Sequence, residues 1–158
     1  IGVRYYNRAM NSKGDDRLVK DFTYWSVFIA KNQILPGKCV VWCKRGDASD
    51  PADASSEEWK EAHLIIRLLK QSVRDLYQAD WFNYTFLGNS TPHLHMHFVP
   101  RYKTERTVHG MAFMDKDWGK EYTIDPNFKI SPETLDLIRV DMSEKVEELL
   151  KTEATSSS

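Results

Sequence analysis

The sequence predicts an α+β domain: an antiparallel sheet of about five strands, one long helix across a face, and a C-terminal helix. Runs rich in β-branched and aromatic residues recur at 22–30, 38–44, 81–87 and 93–99. Between the second and third runs lies an apolar stripe of helical period, and a second such stripe stands near the end of the chain. The 158 residues suit one compact domain, drawn here as 1–151 with a frayed polar tail over 152–158.

Taken in order, the first strand is Phe-Thr-Tyr-Trp-Ser-Val-Phe-Ile-Ala, 22–30. Leu35-Pro36-Gly37 marks a turn, and the second strand, 38–44, completes an antiparallel hairpin. Polar residues 46–56 lead into a helix whose start is signalled by Ser55 with Glu58 three residues later, a capping box that satisfies orphaned amides. The stripe Trp59, Ala62, Ile66, Leu69, Val73 and Leu76 follows at spacings of three and four. Two strands, 81–87 and 93–99, flank the short link Gly88 to Pro92. Residues 100–129 show no clear period, yet Met111 to Met114 and Trp118 predict packing onto the domain rather than a free loop. Ser131-Pro132 starts the last helix, with the stripe Leu135, Ile138, Met142, Val146 and Leu149.

The formal net charge of −1 excludes a large nucleic-acid footprint and leaves room for a local cationic pocket. No apolar run is long enough to span a membrane, and Ile1 to Met10 is not a signal peptide. Cys39 and Cys43 on one strand would lie about 13 Å apart, too far for a disulfide. They read as reduced core thiols, which points to a cytoplasmic protein.

Three of the five histidines stand at 93, 95 and 97. On a strand they share one face, while Leu94, Met96 and Phe98 face the other and can pack beneath a helix. Two chemistries compete. A pair of histidines two apart on a strand can chelate zinc, but a catalytic zinc needs a further ligand from another element. No second signature such as His-Glu-x-x-His accompanies the three, and their span of about 13 Å exceeds one ion's reach, so no metal is expected. The other chemistry is nucleophilic: a neutral imidazole attacks phosphorus and holds a nucleotidyl group covalently until an acceptor arrives. His63 and His109 read as surface or loop residues without chemistry, and Arg101 as a solvated charge.

The run His93-Leu94-His95-Met96-His97-Phe98-Val99 resembles the signature of the histidine-triad nucleotide hydrolases and transferases. The resemblance extends to Asn32-Gln33, Pro36 to Val41, Asn83-Tyr84, Leu87-Gly88-Asn89 and Pro100-Arg101-Tyr102, in the manner of a bacterial-type subgroup. It implies that His95 is the nucleophile, that His97 hydrogen-bonds phosphate oxygens, and that His93 orients His95 through its backbone carbonyl. It also implies Ser90 near the leaving group, Asn89 at a phosphate or bridging oxygen, and Asn32 at the ribose hydroxyls. Many members carry a further histidine upstream, where this chain has Lys38 after Pro36-Gly37 and Gly46 after Lys44-Arg45. Lys38 would take over the neutralisation of phosphate. The implied substrates are adenosine phosphoramidates, dinucleoside polyphosphates or similar adenylated molecules, handled by a homodimer. No cofactor is required, though magnesium would accompany a polyphosphate. A nucleotide-binding module that has lost efficient turnover is the alternative, and a zinc-binding protein is a third reading.

Overall fold

The computed structural model describes residues 15–156, so the expectation for Ile1 to Met10 lies outside the described residues. Five strands form the main sheet: β1 (Leu18–Asp21), β2 (Trp25–Ile29), β3 (Cys39–Cys43), β4 (Trp81–Thr85) and β5 (His95–Arg101). All neighbours pair antiparallel in the order β1-β2-β3-β5-β4. Helix α1 (Ser56–Tyr77) connects β3 to β4, and α2 (Pro132–Ser156) packs against α1 and β1. The α+β class and both helices are as the sequence predicts.

The boundaries differ for local reasons. The expected strand over 22–30 is a turn followed by β2, because the amides of Thr23, Tyr24 and Trp25 donate to the Glu61 carboxylate on α1. Strand β1, before that turn, was not foreseen. The expected strand over 93–99 is displaced to 95–101, because the His93 amide turns back to the Thr91 carbonyl and that of Leu94 donates to Ala48. The run over 81–87 ends as a strand at Thr85.

Helix α1 begins as its sequence signals: the Ser55 hydroxyl accepts from the Glu58 amide and the Glu58 carboxylate from the Ser55 amide. Arg45 pairs with the same carboxylate at 2.8 Å and, as its strongest hydrogen-bond partner, holds it down at about 2. The buried stripe is rotated from the one expected. Trp59 is exposed, and Ile65, Leu68 and Tyr77 are buried beside Ala62, Leu69 and Val73. This wider stripe follows from packing against both the sheet and α2. In α2, Ile138, Met142 and Val146 are buried and Leu135 and Leu149 partly so, in line with the sequence. The helix continues through Thr152 to Ser156, residues expected to fray.

The Pro36-Gly37 turn lies against α1. Gly37 has φ +88, and a Cβ there would meet Val73 Cγ1 at 2.7 Å. Fully buried Gln33 knits the turn, donating to the carbonyls of Ala30 and Lys38 and accepting from the Gly37 amide. Both Cys39 and Cys43 are free and buried, and desolvation raises both thiols.

After β5 the chain forms a small hairpin, β6 (Arg106–Val108) and β7 (Met111–Phe113). Its two turn residues, His109 and Gly110, both have positive φ, the geometry that matches strand twist in a two-residue hairpin. The segment that follows is irregular but anchored. The segment packs on the domain as expected through Phe113, which is buried, whereas Met114 and Trp118 are only partly covered, at 47% and 37% exposed. Arg101, read as a solvated charge, is the anchor and is 4% exposed. Its guanidinium meets Asp115 bidentately at 2.7 and 3.1 Å and also donates to Asn83 and to the carbonyls of Asp117 and Lys120.

Removing one partner of a buried ion pair leaves the other charge desolvated, at a cost of about 3–5 kcal/mol. Arg101→Ala should therefore lose stability on that order in urea denaturation, and a loss below about 1 kcal/mol would show that the pair is dispensable.

Candidate active site

Strand β5 is bonded on both sides, and its register places the histidines. His95 pairs with Trp42 and His97 with Val40 on β3, while His97 also pairs with Thr85 on β4. Leu94, Met96 and Phe98 enter the core under the helices. His95 and His97 therefore occupy the opposite face, which carries Val40 and Trp42 beside Phe28 and Ala30 as a separate apolar cluster. His93 precedes the strand, yet its ring stays with the others by stacking on Trp42 at a centroid distance of 3.8 Å and an angle of 7°. Trp42 also stacks on His95 at 5.3 Å, and His95 meets His97 edge-on at 5.1 Å.

The His95 Nδ1 lies 2.7 Å from the His93 carbonyl oxygen. A carbonyl only accepts, so Nδ1 carries the proton and Nε2 keeps its lone pair. Burial is the first cause that lowers the basicity of His93, and it pushes His97 down to about 4, with the charges of His95 and Lys38 adding to the effect. His97 is thus neutral near pH 7 and offers a hydrogen bond rather than a full charge.

Lys38 lies just before β3, beyond the Cys39–Phe98 pair and next to His97 rather than His95. It is 3% exposed, and burial lowers its basicity. Its Nζ sits 5.3 Å from the centre of the Tyr122 ring, the contact of a cation with an aromatic face. Asn89 and Ser90 stand on the exposed turn before the histidines and make no internal hydrogen bond among the described residues. A cavity of about 70 Å³ between Ser49 to Pro51 and Phe86 to Gly88 reaches His93 and His95. Asn32 lies in the turn between β2 and β3. Its amide donates to the Asp125 carbonyl and accepts from the Ile34 amide, so both ends are engaged. Gly46 has open space around it.

The sequence did not single out Trp42, Thr85 or Tyr122. Trp42 was legible in principle, since it alternates with Val40 along the strand that must pair with the histidines. Thr85 depended on register, and its enclosed Oγ1 has no hydrogen-bond partner among the described residues, as is also true of His93 Nδ1. Tyr122 arrives from a segment without periodicity. Among the described residues no group of three or more His, Cys, Asp or Glu is placed to hold a metal ion. None of the described helices is long and apolar enough to cross a membrane.

The HIT domain family model matches residues 11–104, and the chain belongs to that family. Over 85 residues it is 27% identical to a bis(5'-adenosyl)-triphosphatase of Saccharomyces cerevisiae, an alignment covering 51% of this chain and 41% of that protein. The chain thus matches less than half the length of that curated relative. Its fold matches a hypothetical histidine triad nucleotide-binding protein from Sulfolobus tokodaii with TM-score 0.66 and 18% identity, over 94% of this chain and 92% of the other. A Plasmodium falciparum diadenosine triphosphate hydrolase, solved with cyclomarin A, matches with TM-score 0.60 and 14% identity over 89% and 82%.

The low value at His97 has a consequence for stability. The unfolded ring protonates near its ordinary 6.5 and the folded one only near 4. Unfolding therefore takes up a proton between those values, and the contribution of His97, full above pH 6.5, is lost as pH falls toward 4. Melting temperature measured from pH 7 to 4 should fall less steeply for His97→Gln than for wild type. Parallel curves would show that His97 is not the buried neutral group described.

Proposed function

We propose that this chain cleaves nucleotide conjugates at the α-phosphorus through a covalent nucleotidyl-His95 intermediate. The observation that carries this reading is the hydrogen bond from His95 Nδ1 to the His93 carbonyl. It leaves the Nε2 lone pair as the nucleophile and holds the ring in one orientation. Nε2 forms a bond to phosphorus while the bond to the leaving group breaks, and the leaving group departs with the electron pair. Water then attacks the same phosphorus, the N–P bond breaks, the ring recovers its neutral form, and a nucleoside monophosphate and a proton are released. His97 donates to a phosphate oxygen as a neutral ring. Asn89 and Ser90, exposed on the turn that precedes the histidines in the chain, serve the bridging oxygen and the leaving group.

Family membership and the likeness to a bis(5'-adenosyl)-triphosphatase support a nucleotide substrate. The reading includes a homodimer, a cytoplasmic setting suggested by two free cysteines, and magnesium brought by polyphosphate substrates rather than held by the protein. Asn32 serves as a ribose ligand when its bonds to the Asp125 carbonyl and the Ile34 amide are exchanged on binding.

The reading is tested by incubation with an AMP conjugate and intact mass measurement, which should reveal an adenylyl adduct on wild type and none on His95→Asn. Turnover should fall by several orders of magnitude in His95→Ala and His95→Asn, with nucleotide binding retained. Turnover within tenfold of wild type would remove His95 as nucleophile. Tight binding without adduct or turnover in wild type would favour the binding-module alternative.

Lys38 supplies a positive charge that neutral His97 lacks. As an ammonium on the His97 side, it binds the phosphates beyond the α-position and gives little help in protonating a basic leaving group. Lys38→Ala should raise KM for a dinucleoside polyphosphate more than for an AMP amide, and Lys38→His should narrow the preference between them. Equal kinetics for both variants and wild type on both substrates would reduce Lys38 to a buried structural lysine.

A further inference from the structure

Strand β3 sets one large aromatic side chain among the histidines. Trp42 pairs directly with His95 across the β3–β5 ladder, so the two side chains stand side by side on one face. The indole is 6% exposed and packs with Phe28, Ala30 and Val40. His93 lies flat on it, with centroids 3.8 Å apart and planes inclined by 7°. Burial opposes a charge on His93, so this contact joins two neutral rings. His95 meets the same indole at 5.3 Å and 26°, inside the ~6 Å within which a cation is attracted to an aromatic face.

That distance matters because the attacking ring does not stay neutral. Its Nδ1–H is bonded to the His93 carbonyl, which accepts the hydrogen bond and cannot take the proton away. The Nε2 lone pair forms the bond to phosphorus, and the leaving group departs with its own electron pair. The ring of His95 is then an imidazolium carrying a full positive charge. No ion pair includes His95 among the described residues. Of the titratable groups around it, His93 and His97 are held neutral by burial, and Lys38 on the His97 side is positive. Asp50 borders the cavity that reaches His95, but its carboxylate accepts from the Ala52 amide. The indole of Trp42 and the His93 carbonyl are therefore placed to receive the new charge. Trp42 governs both, because its stack on His93 also steadies the residue that supplies the carbonyl.

We propose that Trp42 is a positioning residue for the nucleophile, whose π face steadies the imidazolium that His95 becomes in the nucleotidyl-enzyme. The indole acts on the ring of His95 and not on the nucleotide. The inference rests on the hydrolase reading and deepens it by naming what compensates the charge created on the nucleophile.

The test follows p-nitrophenolate release from the p-nitrophenyl ester of AMP in single turnovers of the full chain, which times formation of the N–P bond. Trp42→Leu should slow this step about tenfold at saturating ester, with the half-saturating concentration within about twofold of wild type. Trp42→Phe, a weaker π face, should recover part of the loss. Fluorinated tryptophans placed at position 42 alone keep the shape of the indole and drain its π face, so this series decides even where Trp42→Leu fails to fold. The logarithm of the rate should fall stepwise with each added fluorine while the melting temperature stays constant. Equal rates across the fluorinated series overturn the inference, since packing alone then explains any loss in Trp42→Leu. A raised half-saturating concentration with an unchanged step also overturns it, by giving Trp42 to the substrate. Both results leave the hydrolase reading standing. Release by wild type no faster than by His95→Asn refutes that reading, and this inference with it.

Discussion

Strand β5 is hydrogen-bonded to β3 on one side and β4 on the other, so none of its side chains can change face without breaking two ladders. Its period of two sends Leu94, Met96 and Phe98 into the core under α1 and α2, where their burial resists any slip of register. The histidines are thereby held on the opposite face at no separate cost in order. Everything chemical in the protein depends on that division. Because His93 stands just before the strand, its carbonyl is not used by the ladder and is available to accept the hydrogen bond that His95 Nδ1–H donates. Trp42, set by pairing with His95, keeps the two rings stacked against one indole.

Electrostatics around this row follows from depth. Burial favours the neutral form of His93 and His97 and opposes the charge on Lys38, yet a lysine resists neutralisation far more than a histidine. The site thus joins neutral hydrogen-bonding rings to an ammonium that, among the described residues, has an aromatic face rather than a carboxylate beside it. An anionic ligand would complete the charge balance that the protein leaves open. That is a physical reason for an anionic ligand at this site, independent of any likeness to other proteins.

The irregular chain after β7 would otherwise lie loosely over the sheet. The Arg101–Asp115 pair fixes it, with every donor of the guanidinium fork turned toward a carboxylate, an amide oxygen or a backbone carbonyl. Such a fully satisfied buried pair gives position more than stability. It holds Tyr122 above Lys38 and sets Trp118 and Lys120 across from β4, which turns an open sheet edge into a walled groove.

The α+β class, the two helices, the capping box at Ser55 and the shared face of the histidines were legible in the sequence. All rest on local periodicity and on hydrogen bonds between residues a few positions apart. The fate of 22–24 was not legible, because Glu61, distant in sequence, captures those amides. Nor was the true role of Arg101, whose charge is worth burying only when Asp115 and three oxygens converge on it. The β6–β7 hairpin was too short to show a period. The sequence by itself determined which residues would share a face, since alternation along a strand is covalent geometry. Which strands lie beside that face, which aromatic rings stack on its histidines and what walls its far end were decided by tertiary structure, since these depend on register and on long-range pairing of buried charge.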